Sequence, residues 1–588
     1  MNNDQEKDFF PQSTGKDQKA VARDSNDIIH TQVLEDSRSG EPSIKPPAAE
    51  EPAPGDNVLK MNLSFWAIIA TLCFTSLLGS FENAVISTAM PYIIRDLGIG
   101  SDYVWITNGF FVASAAVQPL FGQIADVFGR RRLTLFIVSI HTLGSGICGG
   151  AKNGAMLFAG RAVQGIGSGG INMIVEVIIS DLVPLRQRGY FMSLVLLVYA
   201  LGFGTGPLIG GGISQHASWR WIFWMNLPIG GTSLCLLYLL LHVKDDKTTP
   251  LGDKIKNIDY IGNILVIGST VSVLYALTLV GSSDAWGSWQ VLLPLLIGFG
   301  GFATFICFEG SRLCPHPVVP LRFFKNRTRV AIYINTLVIS ILGYWMIFFR
   351  PLYFQAVLLS SPTVAGAQMM PSALGSLLVA SASSAALSWM GRYKAFHNIG
   401  FGILTLGLGL HVLLDNHSSP VRWVIFQILT GSSIGVCLNT LLPALQATLP
   451  DSDVAAATST WAFLRSHGNV WGIAIPVTVF NDRFLRLAGS ITDEKVRNEF
   501  SGGHAYDLGT RERLSRLDPV TQGQVISVYV RSLQVVWIVA AVFAGIGFAS
   551  SLVEKEIRLR TKLDTKYGMQ DKETKISNTE ERSKQDEA

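Results

Sequence analysis

Gly122-Gln-Ile-Ala-Asp126-Val-Phe-Gly129-Arg130-Arg131-Arg132 joins two apolar stretches, 103–125 and 133–151. The arginine run cannot lie in hydrocarbon, and the apolar runs beside it carry almost no charge. A bilayer core has no water to satisfy backbone groups, so each run must cross as a helix of ~20 residues. The stretch therefore reads as a tight turn between two membrane-spanning helices. Its glycines let the helices approach closely. Asp126 is placed to pair with Arg130 or to cap a neighbouring helix, where the dipole favours an anion. Gly122, Asp126, Gly129, Arg130 and Arg131 thus read as a latch that holds two helices in one conformation.

Working outward, apolar segments of this kind recur. Fourteen are read, from 64–90 at one end to 533–553 at the other. The 588 residues are 48% hydrophobic and only 15% charged, against about 25% charged in a soluble domain. The short loops on the Arg130 side hold most of the basic residues: Arg186, Arg188, Lys244, Lys254, Arg322, Arg327, Arg392 and Lys394. That bias places this side in the cytoplasm. Both termini are then cytoplasmic. The polar ends, 1–60 and 554–588, read as disordered tails. None of the six cysteines has metal-ligand spacing, no disulfide framework is suggested, and core packing is expected of them.

The chain also echoes itself. Ser384-Ala-Ala-Leu-Ser388-Trp-Met-Gly391-Arg392-Tyr393-Lys394 keeps the spacing of the latch and loses its acid. Arg161 aligns with Gln427, Gly165 with Gly431, and Gly169 with Gly435. Internal duplication of this kind is common in transporters. The expected fold is an all-α polytopic membrane protein of two six-helix bundles, 61–243 and 329–553, with two extra helices in 244–328. A long outer loop is expected at about 481–532.

Two further motifs lie inside spans. Arg161-Ala-Val-Gln164-Gly165-Ile-Gly167 puts a charge in the membrane, where it must face a cavity or a partner. Gly202-Phe-Gly-Thr-Gly206-Pro207-Leu-Ile-Gly210-Gly211-Gly212 permits a kink and close packing. Together with the latch these resemble the major facilitator superfamily, in its fourteen-span drug:proton antiporter branch. Gly122–Arg131 is similar to the superfamily's loop signature, Arg161–Gly167 to its fourth-helix motif and Gly202–Gly211 to the antiporter motif. Phe81-Glu82-Asn83 through Pro91 resembles the first-helix signature, with Glu82 where the acid is usually Asp. Trp219–Pro228, Tyr353-Phe-Gln355 and Gln446-Ala fit the fungal members. The resemblance covers about residues 60–555 and implies export of drugs, toxins or secondary metabolites against protons, with no cofactor but the proton gradient.

Glu82 and Arg161 fall at similar depth on helices that are neighbours in that fold. We expect them to pair at the substrate cavity. An arginine partner favours the ionised carboxylate and burial the protonated one, so the pair suits proton coupling; a static buried pair is the plainer alternative. Helical phase groups Arg161, Ser168, Asn172 and Glu176 on one polar face, and Glu176, near the cytoplasmic end, is the second proton-coupling candidate, with interfacial solvation or an ion pair as the plainer alternative. Gln164, Asn172, Gln427, Arg465 and Asn469 are the candidate cavity residues. His467 and His141 read as hydrogen-bonded packing residues. Arg350 is expected to snorkel to the outer headgroups, with attraction of an anionic substrate group as the alternative.

No hydrolase elbow, metal-ligand cluster or phosphate-binding loop is found, so enzymes and ATP-driven pumps are disfavoured. A nutrient or siderophore importer and a non-transporting sensor are the competing readings, and Gly206-Pro207 speaks against the importer. The expected partners are a small hydrophobic organic substrate and the bilayer, with no nucleic acid. The protein is expected to be monomeric and in the plasma membrane, the vacuolar membrane being the alternative. Asn416-His-Ser418 is a glycosylation sequon lying too close to the membrane for use.

Overall fold

The computed structural model describes residues 63–99, 104–241, 258–282, 287–315, 317–450, 453–501, 505–506 and 508–559. The sequence-read tail 1–60 lies outside them, as does the tail beyond residue 559. No strand occurs among the described residues.

The first set of helices comprises α1 (Leu63–Leu97), α2 (Val104–Phe128), α3 (Arg130–Gly149), α4 (Gly154–Leu182) and α5 (Leu185–His216), then α6 (Trp221–Trp224) and α7 (Asn226–Leu240), a span broken at Met225. Two linking helices follow, α8 (Tyr260–Ser282) and α9 (Trp289–Glu309). The second set comprises α10 (Arg327–Leu352), α11 (Pro362–Gln368), α12 (Met370–Met390), α13 (Lys394–His411), α14 (Pro420–Ala447), α15 (Val454–Leu487) and α18 (Pro519–Val553). Between α15 and α18 lie the short helices α16 (Glu494–Ser501) and α17 (Arg511–Leu514). Among the described residues, ten spans are long and apolar enough to cross a bilayer. Four more helices, α2, α5, α13 and α15, stand where spans were expected.

The two sets pack alike. α1 lies on α5, α2 and α3 on α4, and α3 on α7. In the second set α10 lies on α15, α12 and α13 on α14, and α13 on α18. The aligned glycines make equivalent contacts. A Cβ on Gly165 would strike the Phe110 carbonyl, and one on Gly169 the Ser114 carbonyl. On Gly431 and Gly435 it would strike the carbonyls of Ser372 and Ser376. Arg161 Nε donates to the Ile106 carbonyl at 2.8 Å, and Gln427 Nε2 to the Gln368 carbonyl at 2.9 Å. The acceptors fall four residues apart in both halves, so the register of the echo is that of the packing. Gly129 and Gly391 both take a left-handed φ, 87° and 65°, as the turn demands.

Several bounds differ from the apolar windows. α1 runs on to Leu97, and α18 begins at Pro519 rather than 533, because helices continue into polar residues that a hydropathy window excludes. Much of the expected loop at 481–532 is helical among the described residues. Arg513 pairs with Glu499, and Tyr506 Oη donates to the Phe348 carbonyl at 3.0 Å. The linking pair α8–α9 packs on α2 and α15. Gln123 Oε1 accepts from Asn263 Nδ2 at 2.9 Å, which ties α8 to the end of α2. Of the six free cysteines, Cys73, Cys148 and Cys437 are buried, whereas Cys235 and Cys307 are exposed.

Candidate functional site

The first charged cluster is sealed inside the first set of helices. Glu82 on α1 is 0% exposed and Arg161 on α4 is 1% exposed. Arg161 Nη1 donates to Glu82 Oε1 at 2.6 Å and to Gln164 Oε1 at 2.7 Å. Asn226, at the break between α6 and α7, donates through Nδ2 to Glu82 Oε2 at 2.6 Å. Gln164 Nε2 donates to Ser145 Oγ at 2.8 Å, and the guanidinium lies 4.2 Å over the Phe110 ring. Each oxygen of Glu82 thus has a partner, as burial of a carboxylate requires. The expected cavity is not where this pair sits: five helices close around it. Gln164 is a buttress of Arg161 and equally buried. Asn226 stands within Trp219–Pro228, but nothing in that motif marks it as a partner of Glu82.

The second cluster lies between the two sets. Arg465 on α15 donates through Nη1 to Glu176 Oε1 on α4 at 2.6 Å. Both side chains keep some exposure, while the Oε2 atom of Glu176 is itself buried and has no hydrogen-bond partner. Gln118 Nε2 donates to Ser466 Oγ at 2.8 Å, and Ser459 Oγ to the Gln118 carbonyl at 3.0 Å. Gln446 is a hub: Oε1 accepts from Arg188 Nη1 at 2.8 Å, while Nε2 donates to Ser180 and Thr458 at 2.7 and 3.0 Å. Ser193 Oγ donates to Ser384 Oγ at 2.7 Å and accepts from Asn439 Nδ2 at 3.1 Å. A Cβ on Gly122 would overlap the Ser459 side chain. All these bonds between the sets lie in the part of the bundle nearer the Arg130 end, hereafter the basic end. Glu176 and Arg465, singled out for separate reasons, form one pair across the interface. Asn172 and Asn469 stay partly exposed on the same two helices.

Other expected residues fall as follows. Arg130 Nε pairs with Asp181 Oδ2 at 2.8 Å, and Nη1 donates to the Ala125 carbonyl at 2.8 Å. The side chain of Asp126 lies outside the described residues. Arg131 Nη2 donates to the Tyr238 carbonyl at 2.5 Å. Gly202, Gly206 and Gly210 are buried on one face of α5, and a Cβ on Gly202 would overlap Ser80 of α1. The surroundings of Pro207 and Gly211 lie outside the described residues. Gln427 is buried against α11 rather than facing a cavity. His141 meets the Gln164 carbonyl at 3.2 Å. His467 packs against Phe302, Phe463 and Trp471 instead of hydrogen-bonding through Nδ1.

Arg350 does not snorkel. It is 4% exposed and turned inward, with Nη1 donating to Ser372 Oγ at 2.6 Å and Nη2 to Met346 Sδ and Thr430 Oγ1. The apolar run ends at this residue but the helix does not: a π-helical turn carries it on through Val357, so Arg350 never reaches the headgroups.

Twin helical sets around a polar interface, with a charged pair across it, define a two-lobed membrane transporter. The sequence pattern of the Major Facilitator Superfamily matches residues 72–473. The chain belongs to that superfamily. It is 43% identical over 522 residues to the MFS-type transporter gkaD of Penicillium citrinum, covering 89% of each chain. It is 39% identical over 555 residues to the MFS-type efflux transporter ffsH of Aspergillus flavipes, covering 94% of this chain and 95% of that one. Its fold matches the proton:xylose symporter XylE with a TM-score of 0.52 at 13% identity, over 82% of this chain and 95% of that one.

Proposed function

We propose that the protein is a proton-coupled exporter of small hydrophobic organic molecules. It acts as a monomer of fourteen spans in the plasma membrane, with the basic end cytoplasmic. The observation that carries this is the set of hydrogen bonds and the ion pair that join the two halves toward the basic end, centred on Glu176–Arg465 and Gln446. With that end cytoplasmic, the state described is closed to the cytoplasm. Relatives named as efflux transporters, with nearly full coverage, support the direction of transport.

In this scheme the free Oε2 of Glu176 takes a proton from the outer side. Neutral Glu176 no longer holds Arg465, and the inner gate parts. On the cytoplasmic side the proton leaves, substrate enters between the halves, and the pair re-forms behind it. Glu82 is the second proton site, reached only when α1 and α4 part. No cofactor is used; the proton gradient supplies the energy. Loading cells with a fluorescent hydrophobic cation tests the scheme. Expression should lower accumulation, and a protonophore should restore it. Glu176→Gln should lose the pH dependence of efflux. Efflux that ignores the protonophore would overturn the proton coupling.

A further inference from the structure

The sequence ends the second half at residue 553, yet the chain just beyond it is not a free tail. Glu554 is 1% exposed. Its Oε1 accepts from Asn335 Nδ2 of α10 at 2.8 Å, and its Oε2 lies 2.6 Å from His397 Nδ1 of α13. Glu556 Oε1 accepts from the Tyr393 backbone N–H at 3.0 Å, and Tyr393 Oη donates to the Lys555 carbonyl at 2.6 Å. The Lys555 N–H donates to Thr328 Oγ1 and the Leu559 N–H to the Gly391 carbonyl, each at 3.0 Å. The segment 554–559 therefore straps the Gly391–Lys394 turn to both ends of the second set.

That turn is the echo of the latch, and the echo lacks an acid. In the first half an acid at the end of α4 answers it, with Asp181 on Arg130. In the second half two acids arrive from beyond the last helix. Arg131 reaches the Tyr238 carbonyl of α7, and Lys394 Nζ reaches the Leu552 carbonyl of α18 at 3.2 Å, so the two turns also grip equivalent helices. We propose that Glu554 and Glu556 are positioning residues of the transport cycle, supplying from beyond the last helix carboxylates to a turn whose own stretch has none. They act through α12. This helix ends at the clamped Gly391, and its Ser384, about two turns back at 3.6 residues per turn, meets Ser193 of α5 in the inner gate. Holding the turn fixes where α12 presents Ser384.

The strap's contribution is read by disulfide formation between Ser193→Cys and Ser384→Cys in a background without the native cysteines. This reports gate closure without substrate or proton gradient, so it can fail while the export reading stands, and the reverse. The cross-link should form as fast in a chain stopped after Leu559 as in the full chain. In a chain stopped after Val553 it should form about tenfold more slowly, the scale of one charge-assisted hydrogen bond. The full-length Glu554→Gln/Glu556→Gln variant should slow it similarly with its unfolding temperature nearly kept, and Glu554→Asp should restore part of the rate. Equal rates in all chains, or a slowing that tracks lost thermal stability alone, would overturn the proposal.

Discussion

Replacing Glu82 by glutamine tests what the buried pair does. From sequence alone Glu82→Gln is expected to stop coupled export and leave folding intact. The structure changes that expectation. Arg161 is 1% exposed, and its other acceptors are neutral, the Ile106 carbonyl and the Gln164 amide oxygen. Removing the charge of one partner from a buried pair costs about 3–5 kcal/mol. A glutamine can still accept from Arg161, and Asn226 can turn its amide, since its Oδ1 has no partner. The cost should thus sit near the lower bound, about 3 kcal/mol or roughly a hundredfold in the folding equilibrium. Glu82→Gln/Arg161→Gln removes both charges and should recover most of this. Unfolding in detergent measures the stability, and efflux from proteoliposomes under an imposed pH gradient measures coupling. A double variant that is stable but blind to the gradient makes Glu82 a proton site. One that is stable and fully coupled makes the pair structural. A single variant as stable as the parent would refute the reasoning, because Arg161 would then not need a buried anion.

Further outcomes follow from the same geometry. Gly169→Ala and Gly435→Ala should each destabilise by about 1–3 kcal/mol, because the new Cβ meets a carbonyl that cannot yield. Gly409→Ala, with nothing near it, should stabilise by up to ~1 kcal/mol; equal unfolding temperatures across the three would contradict this. Arg350 has no carboxylate partner among the described residues, so Arg350→Met should leave stability unchanged or raise it, and a large loss in thermal unfolding would speak for an anion that the described residues lack. Asp518 caps α18, and hydrogen bonds from the Thr521 hydroxyl and backbone hold its carboxyl below the ordinary range. A lowered value contributes stability above the ordinary pKa of about 3.9 that fades as pH falls through the folded value. The protection of the Thr521 amide relative to its intrinsic exchange rate should fall on acidification, and Asp518→Asn should remove that pH dependence while keeping the cap.

What the sequence disclosed depended on whether a signal was local. The latch, the apolar segments and the fourth-helix arginine are read within one turn or span, and the glycine echo carried its register because close packing admits no other residue there. Glu176 and Arg465 lie 289 residues apart. Helical phase put each on a polar face, but only the docking of α4 on α15 makes them one pair. Asn226 was hidden for the same reason, since its partner is on α1. Arg350 and Glu554 fail in a more instructive way. Each stands where an apolar run stops, and at neither position is the hydropathy boundary a water boundary. At Arg350 the helix continues and three neutral acceptors receive the cation. At Glu554 the helix stops, but an amide and an imidazole from two other helices receive the anion. A charge at the end of an apolar run therefore marks the membrane surface only when no partner awaits it. At the second turn, whose stretch has no acid of its own, the carboxylates come from beyond the last helix, where Glu556 accepts from the Tyr393 N–H and Glu554 lies on His397.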